Sequence, residues 1–407
     1  MLLYIHIPFC RSKCGYCSFF SIPDPGAADL DAYLSHLEAE IALWGRRLDR
    51  TGVRRPISSI YIGGGTPSLL SLGQMERITA ALTRTFDLAP GLEWSLEANP
   101  DSAADRDYLR GLLALGVNRL SMGLQSLDNK KLEVLGRRHQ AVQGMKAFDL
   151  ARQAGFANIS LDMIWGLPGQ RALEWLRELE TVVKLQPDHL SCYGLTLEEE
   201  TPLAQAAANG KIELPPENEQ AKMFLQGAEL LESKGYLHYE ISNFSRMGFA
   251  CRHNQGYWQS QSYLGLGAGA VSTLGGLRWD NPRNLKEYAE QVRTERIGET
   301  SAPLTPADKV KELVMLSLRT TKGLNLNKYR EHTGQDFLRR HRRLIQVLRQ
   351  NDLIRVHSGL LRLTRSGMLV SNAILERFLQ DIPDHLPNGT RDHPPASDSG
   401  SKSQSKS

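Results

Sequence analysis

LLYIHIPFCRSKCGYC, residues Leu2 to Cys17, decides how the rest of the chain is read. A β-rich apolar run ends at Pro8 and passes at once into Cys10, Cys14 and Cys17. The Cys-x3-Cys-x2-Cys spacing has a chemical reason. Three thiolates on one short loop can each take one corner iron of a [4Fe–4S] cube, leaving the fourth iron open to a non-protein ligand. A structural zinc ion is the competing reading. Such sites close with four ligands, and the fourth here would have to be His6 or a distant group. The remaining cysteines are Cys192 and Cys251. An odd count with tight clustering argues against a disulfide framework and for metal in a reducing compartment, so a cytoplasmic location is expected.

Working outward from this stretch, short apolar strands alternate with amphipathic helices to about residue 235. Strands are expected at Leu2–Pro8, Ser59–Gly63, Glu93–Ala98, Arg119–Leu124, Asn158–Ile164 and His189–Gly194, each bounded by Gly, Pro, Asn or Asp. Helical periodicity covers Asp29–Leu48, Leu72–Phe86, Ala104–Leu115, Val142–Ala154, Ala172–Lys184 and Glu217–Lys234. The first places Leu30, Tyr33, Leu34, Leu37, Ile41 and Trp44 on one face. Serial βα units imply a parallel sheet, because parallel strands need crossover connections. Six units fall short of the eight that close a full barrel. The expected fold is therefore α/β, a partial (β/α)6 TIM-like barrel over residues 1–235.

Residues 236–305 read as an extension, with one strand at Tyr239–Phe244 and a Gly- and aromatic-rich stretch to Trp279. Residues 306–382 turn mostly helical, at Lys309–Arg319, Asn325–Thr333, Asp336–Gln350 and Ser366–Leu379. A hairpin around Ser358-Gly359 sits among them, an order that suggests a winged-helix-like domain. The polar, Pro- and Ser-rich tail at 383–407 is expected to be disordered. The 407 residues are 41% hydrophobic and 23% charged, the balance of a globular protein, and the net charge of +4 is too small to argue for nucleic acid. Arg339-Arg340-His341-Arg342-Arg343 reads as a solvated helix face. No apolar run is long enough for a membrane anchor, and the N-terminus lacks the pattern of a secretory signal.

In parallel βα folds, chemistry collects at the carboxyl ends of the strands. The first strand ends here in the cysteine loop, the second in Gly63-Gly64-Gly65-Thr66-Pro67 and the third in Glu97-Ala98-Asn99-Pro100. The fourth ends in Gln125, the fifth carries Asp162 and runs into Gly166, and the sixth ends in Tyr193-Gly194. Parallel strands would bring these ends to one mouth.

CRSKCGYC after a first strand, with Tyr16 before the last cysteine, resembles the signature of the radical S-adenosylmethionine superfamily. The resemblance implies that S-adenosyl-L-methionine binds the open iron and that Gly64, Gly65 and Thr66 meet its methionine end. YIHIPFC, IGGGTPS, LEANP, RLSMGLQS, GRRH and LDMIWGLPGQ resemble the coproporphyrinogen oxidase-like branch, over nearly the whole chain to about residue 380. In that branch the positions matching Tyr4, Gly64, Thr66, Glu97, Gln125, Arg137 and Asp162 contact S-adenosylmethionine. The chemistry is compatible with these residues. Arg137 can pair with a carboxylate, Glu97 can accept from an ammonium, and Gln125 and Asp162 can hold ribose hydroxyls.

Two members of the branch compete. Oxygen-independent coproporphyrinogen III oxidase decarboxylates propionates in porphyrin biosynthesis, whereas the HemW-type heme chaperones bind heme and pass it to a heme-accepting protein. The oxidase motif continues to a fourth cysteine where this chain has Phe19, and the oxidase carries an N-terminal extension for which no room is expected here. His253-Asn-Gln-Gly-Tyr257-Trp258 matches the HNxxYW motif of the heme-chaperone group. His253 as iron ligand, with Tyr257 and Trp258 over the porphyrin, is the expected heme site; Cys251 is a second possible ligand or a buried thiol. The resemblance thus implies a heme carrier with a cluster, S-adenosylmethionine and an electron donor for the cluster.

Overall fold

The apolar runs become strands buried on both faces, as parallel strands covered by helices must be. The computed structural model describes residues 1–50 and 56–382, so the expected tail at 383–407 lies outside the described residues. The six expected strands are β1 (Leu2–Ile7), β2 (Ile57–Gly64), β3 (Leu88–Ala98), β4 (Arg119–Gln125), β5 (Ile159–Trp165) and β6 (His189–Gly194). They pair in parallel in that order. Helices α1 (Ala27–Arg50), α2 (Leu72–Thr85), α3 (Arg106–Ala114), α4 (Ala141–Ala154), α5 (Ala172–Lys184) and α6 (Glu217–Ser233) make the crossovers and cover the sheet. Local chemistry sets their starts. Ser71 and Gln74 form a reciprocal capping box on α2, and Asp105 caps α3.

Beyond residue 236 the structure departs from expectation. The single strand expected at Tyr239–Phe244 is instead β7 (Leu237–His238) and β8 (Asn243–Ser245), antiparallel and joined by a turn. At the turn the backbone of buried Glu240 pairs with Thr320 of the C-terminal part. The Gly- and aromatic-rich stretch holds helix α7 (Arg252–Trp258) and strands β9 (Tyr263–Leu266), β10 (Val271–Leu274) and β11 (Leu277–Asp280). Helix α8 (Leu285–Arg293) and short strand β12 (Ala302–Pro303) follow. Strand β9 pairs in parallel with β1, so the sheet continues past its expected first edge. Among the described residues the sheet has 12 strands, ordered β12-β11-β10-β9-β1-β2-β3-β4-β5-β6-β8-β7, and it stays open.

The C-terminal part comprises α9 (Pro306–Leu318), β13 (Leu324–Asn325), α10 (Leu326–Thr333), α11 (Arg342–Gln350), β14 (Ile354–His357), β15 (Leu360–Leu363) and α12 (Ser371–Gln380). Its three-stranded sheet, order β13-β15-β14, and its own apolar core around Val314, Tyr329, Phe337 and Phe378 give the winged-helix-like arrangement. The helix expected over Asp336–Gln350 breaks at His341. That ring turns inward between Phe337 and Phe378 and meets Asp381 at 3.1 Å, while Arg339, Arg340, Arg342 and Arg343 stay exposed to solvent. The last helix likewise breaks at Val370.

Helix α1 buries Tyr33, Leu34, Leu37, Ile41 and Trp44, and also the charged Glu40. Glu40 accepts from the Gly267 amide, the Tyr288 hydroxyl and the Asn281 side-chain amide, each at 2.7 Å. Burial still pushes its carboxyl up to about 7. The loop it holds approaches closely. Gly267 has φ +97°, and a Cβ there would lie 2.4 Å from the Tyr33 hydroxyl. Gly265-Leu-Gly267-Ala-Gly269 therefore serves backbone packing. Glu40→Leu leaves three buried donors without an acceptor and is expected to cost about 3 kcal/mol. Chemical denaturation reads this as a lower midpoint; an unchanged midpoint contradicts the anchoring role.

Candidate cofactor site

The parallel register delivers the strand ends to one mouth, where a cavity of about 340 Å³ opens. Cys10, Cys14, Tyr16 and Cys17 line it from the loop after β1, and Gly64, Gly65 and Thr66 from the end of β2. Glu97, Gln125 and Asp162 come from β3, β4 and β5, and Arg137 from the segment before α4. Tyr4 is placed elsewhere. It stacks on Tyr61, donates toward His6 at 2.9 Å and lines a larger cavity described below.

Backbone contacts hold the cysteine loop. The amides of Gly65 and Thr66 donate to the carbonyls of Ile7 and Phe9 at 2.9 and 2.7 Å, and the Gly15 amide donates to Leu135 at 3.0 Å. No side chain fits at this crossing. A Cβ on Gly65 would lie 2.5 Å from the Phe9 carbonyl oxygen, and Gly64, at φ +114°, faces the His6 ring. All three thiols are free. The Thr66 hydroxyl lies 3.6 Å from Cys10 Sγ, and Arg137 Nη1 3.6 Å from Cys14 Sγ. Burial pushes the thiols of Cys10 and Cys17 up, and the neighbouring cysteines add to it. Among the described residues no three His, Cys, Asp or Glu side chains converge on a single metal ion.

Glu97 accepts from the Tyr61 hydroxyl at 2.8 Å and the Gly64 amide at 3.0 Å, yet burial, with Asp162 nearby, pushes it up to about 7. Asp162 accepts from Ser121 and Ser160, and burial raises it too. Gln125 sits at a β-bulge with φ +66°, which redirects its side chain at the strand end. Arg137 donates through Nη2 to Asn99 and to the Gly123 carbonyl, while its buried Nε has no hydrogen-bond partner. Asn99 was missed as a site residue. It links Arg137 to Thr66 at 3.0 Å and so joins the surroundings of Cys14 and Cys10. Its place in the strand-end LEANP run was the available signal.

The HNxxYW segment forms α7 at the opposite, amino-terminal ends of the strands. Glu93 caps the helix, accepting from the Arg252 and His253 amides at 3.0 Å each, and Cys251 is a buried thiol against it. His253 is 1% exposed, hydrogen-bonded to Ser59 at 2.9 Å and packed between Tyr61 and Tyr257. The imidazole is thus enclosed in this structure, and its buried Nε2 has no hydrogen-bond partner. Tyr257 lines the larger cavity and Trp258 a neighbouring one of about 390 Å³.

Residues 4–181 match the radical SAM superfamily, the class that this open parallel barrel and thiol loop define, and residues 304–370 match the HemN C-terminal domain. Coproporphyrinogen III oxidase (HemN) from Escherichia coli, a radical SAM enzyme, superposes with a TM-score of 0.77 at 26% identity, over 93% of this chain and 89% of its own. The heme chaperone HemW of Lactococcus lactis is 35% identical over 93% of this chain and 97% of its own length. HemW of Bacillus subtilis is 33% identical, over 93% and 99%. The chain belongs to the HemW heme-chaperone family of the radical SAM superfamily.

The superfamily's [4Fe–4S] cluster and S-adenosylmethionine fit this site. Three free thiols offer one ligand to each of three irons. The orphaned Arg137 Nε suits a carboxylate, and the raised Glu97 and Asp162 suit cationic or hydroxyl partners. Replacing any one of Cys10, Cys14 or Cys17 with Ser is expected to lower bound iron and acid-labile sulfide severely after anaerobic reconstitution; wild-type content would refute the assignment. A separate prediction concerns His253, which burial pushes from 6.5 down to about 3. Between those values the unfolded ring binds a proton and the folded one does not. Stability contributed by the neutral ring is thus present above pH 6.5 and falls with acid, by at most about 1.4 kcal/mol per pH unit. His253→Asn should flatten the loss of melting temperature between pH 7 and pH 5; a slope matching wild type argues against it.

Proposed function

We propose that this chain binds heme and delivers it to a recipient protein, on a scaffold that holds a [4Fe–4S] cluster and S-adenosylmethionine. The observation that carries the reading is the match to heme chaperones along 97% and 99% of their own lengths. Cys10, Cys14 and Cys17 ligate the cluster. Arg137 pairs with the carboxylate of S-adenosylmethionine, and Glu97 accepts from its amino group. Gly64, Gly65 and Thr66 meet its methionine end, and Gln125 and Asp162 hold the ribose hydroxyls. Tyr16 closes the wall beside Cys17. Together the two cofactors supply one-electron chemistry when bound, so an electron donor for the cluster is part of the proposal.

The oxidase is the second reading, favoured by the superposition on HemN. Phe19 speaks against it, since it stands where the oxidase pattern has its fourth cysteine. A reducing cytoplasm is part of the proposal, and the clustered free thiols support it. No described helix is long and apolar enough to cross a membrane. The proposal includes neither nucleic acid nor a membrane anchor.

Reconstituted protein with S-adenosylmethionine, a reductant and coproporphyrinogen III under anaerobic conditions is expected to yield no protoporphyrinogen IX, and to bind hemin at about micromolar concentration or tighter. Appearance of protoporphyrinogen IX would overturn the carrier reading in favour of the oxidase.

A further inference from the structure

A cavity larger than the cofactor site lies beside it. It measures about 990 Å³, at the upper end of the roughly 300–1,000 Å³ usual for cofactor pockets. It runs between the β1, β9 and β10 region of the sheet and helices α9 and α10 of the C-terminal part. At one end lies the chain just after the cysteine loop, and at the other the end of α7. Its apolar lining includes Tyr4, Phe19, Phe20, Tyr257, Tyr263 and Met315. Phe19 is 66% exposed, so a large aromatic face stands open to this space and to the cofactor cavity, which it also lines.

The charges on the walls have one dominant sign. Arg278 is paired with Glu312 and held by Thr273 at 2.9 Å. Arg283, Lys309 and Lys328 also line the cavity, are exposed, and make no ion pair among the described residues. A flat apolar ligand with anionic arms fits this combination of aromatic walls and unpaired cations. Two imidazoles reach the space. His6 has both ring nitrogens engaged, by the Tyr4 hydroxyl and the Phe20 carbonyl, each at 2.9 Å. His332 is exposed, makes no side-chain hydrogen bond among the described residues, and stands one helical turn from Lys328 on α10.

We infer that heme is held in this cavity, with His332 as the iron ligand and with Lys309, Lys328 and Arg283 receiving the propionates. The placement rests on the heme-carrier reading and adds to it the site, which is not the HNxxYW imidazole but the interface between the sheet and α9 and α10. The cargo then lies against the far side of the Ser18–Phe19 segment from the cluster thiols.

Anaerobically reconstituted full-length protein is titrated with hemin and, in parallel, with metal-free protoporphyrin IX. His332→Ala should shift the Soret band and weaken hemin binding at least about tenfold, leaving protoporphyrin IX binding near wild type. The double variant Lys309→Glu/Lys328→Glu should weaken both ligands. All three positions are exposed, and unchanged melting temperatures check that each variant folds. Wild-type affinity and spectrum in both variants would overturn the placement while leaving heme carriage intact. Loss of hemin binding in His253→Asn with full binding in His332→Ala would return the ligand to α7. Absence of hemin binding by wild type would overturn heme carriage, and the placement with it.

Discussion

The crossing of the chain leaving β1 over the Gly64–Gly65 turn governs where everything else in the cofactor site stands. Two backbone hydrogen bonds fasten it, from Gly65 and Thr66 to Ile7 and Phe9, and there is no room for a side chain between the strands. The next residue is Cys10. The first thiol is therefore positioned by packed backbone of the sheet and not by the metal it is to hold, and the loop is pinned again where Gly15 meets Leu135. Sites supported by rigid elements hold their geometry better than sites supported by loops alone.

Around that fixed point the electrostatics are left incomplete. Glu97 and Asp162 are buried together and pushed toward their protonated forms, while Arg137, lining the same cavity, keeps one donor unsatisfied. A buried donor with no partner costs about 1–3 kcal/mol, and two desolvated carboxylates repel. A zwitterion relieves both conditions at once, its carboxylate against Arg137 and its ammonium against Glu97. Asn99 and Thr66 carry the same network to the thiols, so ligand and cluster share supporting hydrogen bonds.

Much of this was legible in the sequence because parallel strands buried on both faces read as short continuous apolar runs, and their ends held unusual polar residues. The six strands and the mouth they form follow from that pattern. The strands from Tyr263 to Asp280 did not follow. Gly265, Gly267 and Gly269 interrupt the periodicity for the sake of close approaches to Val271, His6, Tyr33 and Phe20 that only the folded chain displays. His253 illustrates a different gap. The motif specifies residue types, but its direction is set by Glu93, 160 positions earlier, which caps α7 and turns the imidazole inward onto Ser59. The break at His341 likewise depends on Phe378 and Asp381 from the last helix.

Phe19 shows how one position can turn a shared scaffold to a different use. Ser18 and Phe19 line both the cofactor cavity and the large one, so this segment is a common wall. A cysteine at residue 19 would add a fourth thiol beside the cluster loop. Phenylalanine adds none, and it leaves an aromatic ring 66% exposed, whose full burial against an apolar partner is worth about 1.5–3 kcal/mol. That free energy is gained when an apolar group covers the ring. The substitution therefore shifts the segment's contribution from the thiol side to the cavity side, while the three-cysteine loop and its backbone supports stay as they are. The two cavities can then be changed independently on one sheet, because the wall between them contributes a side chain to each.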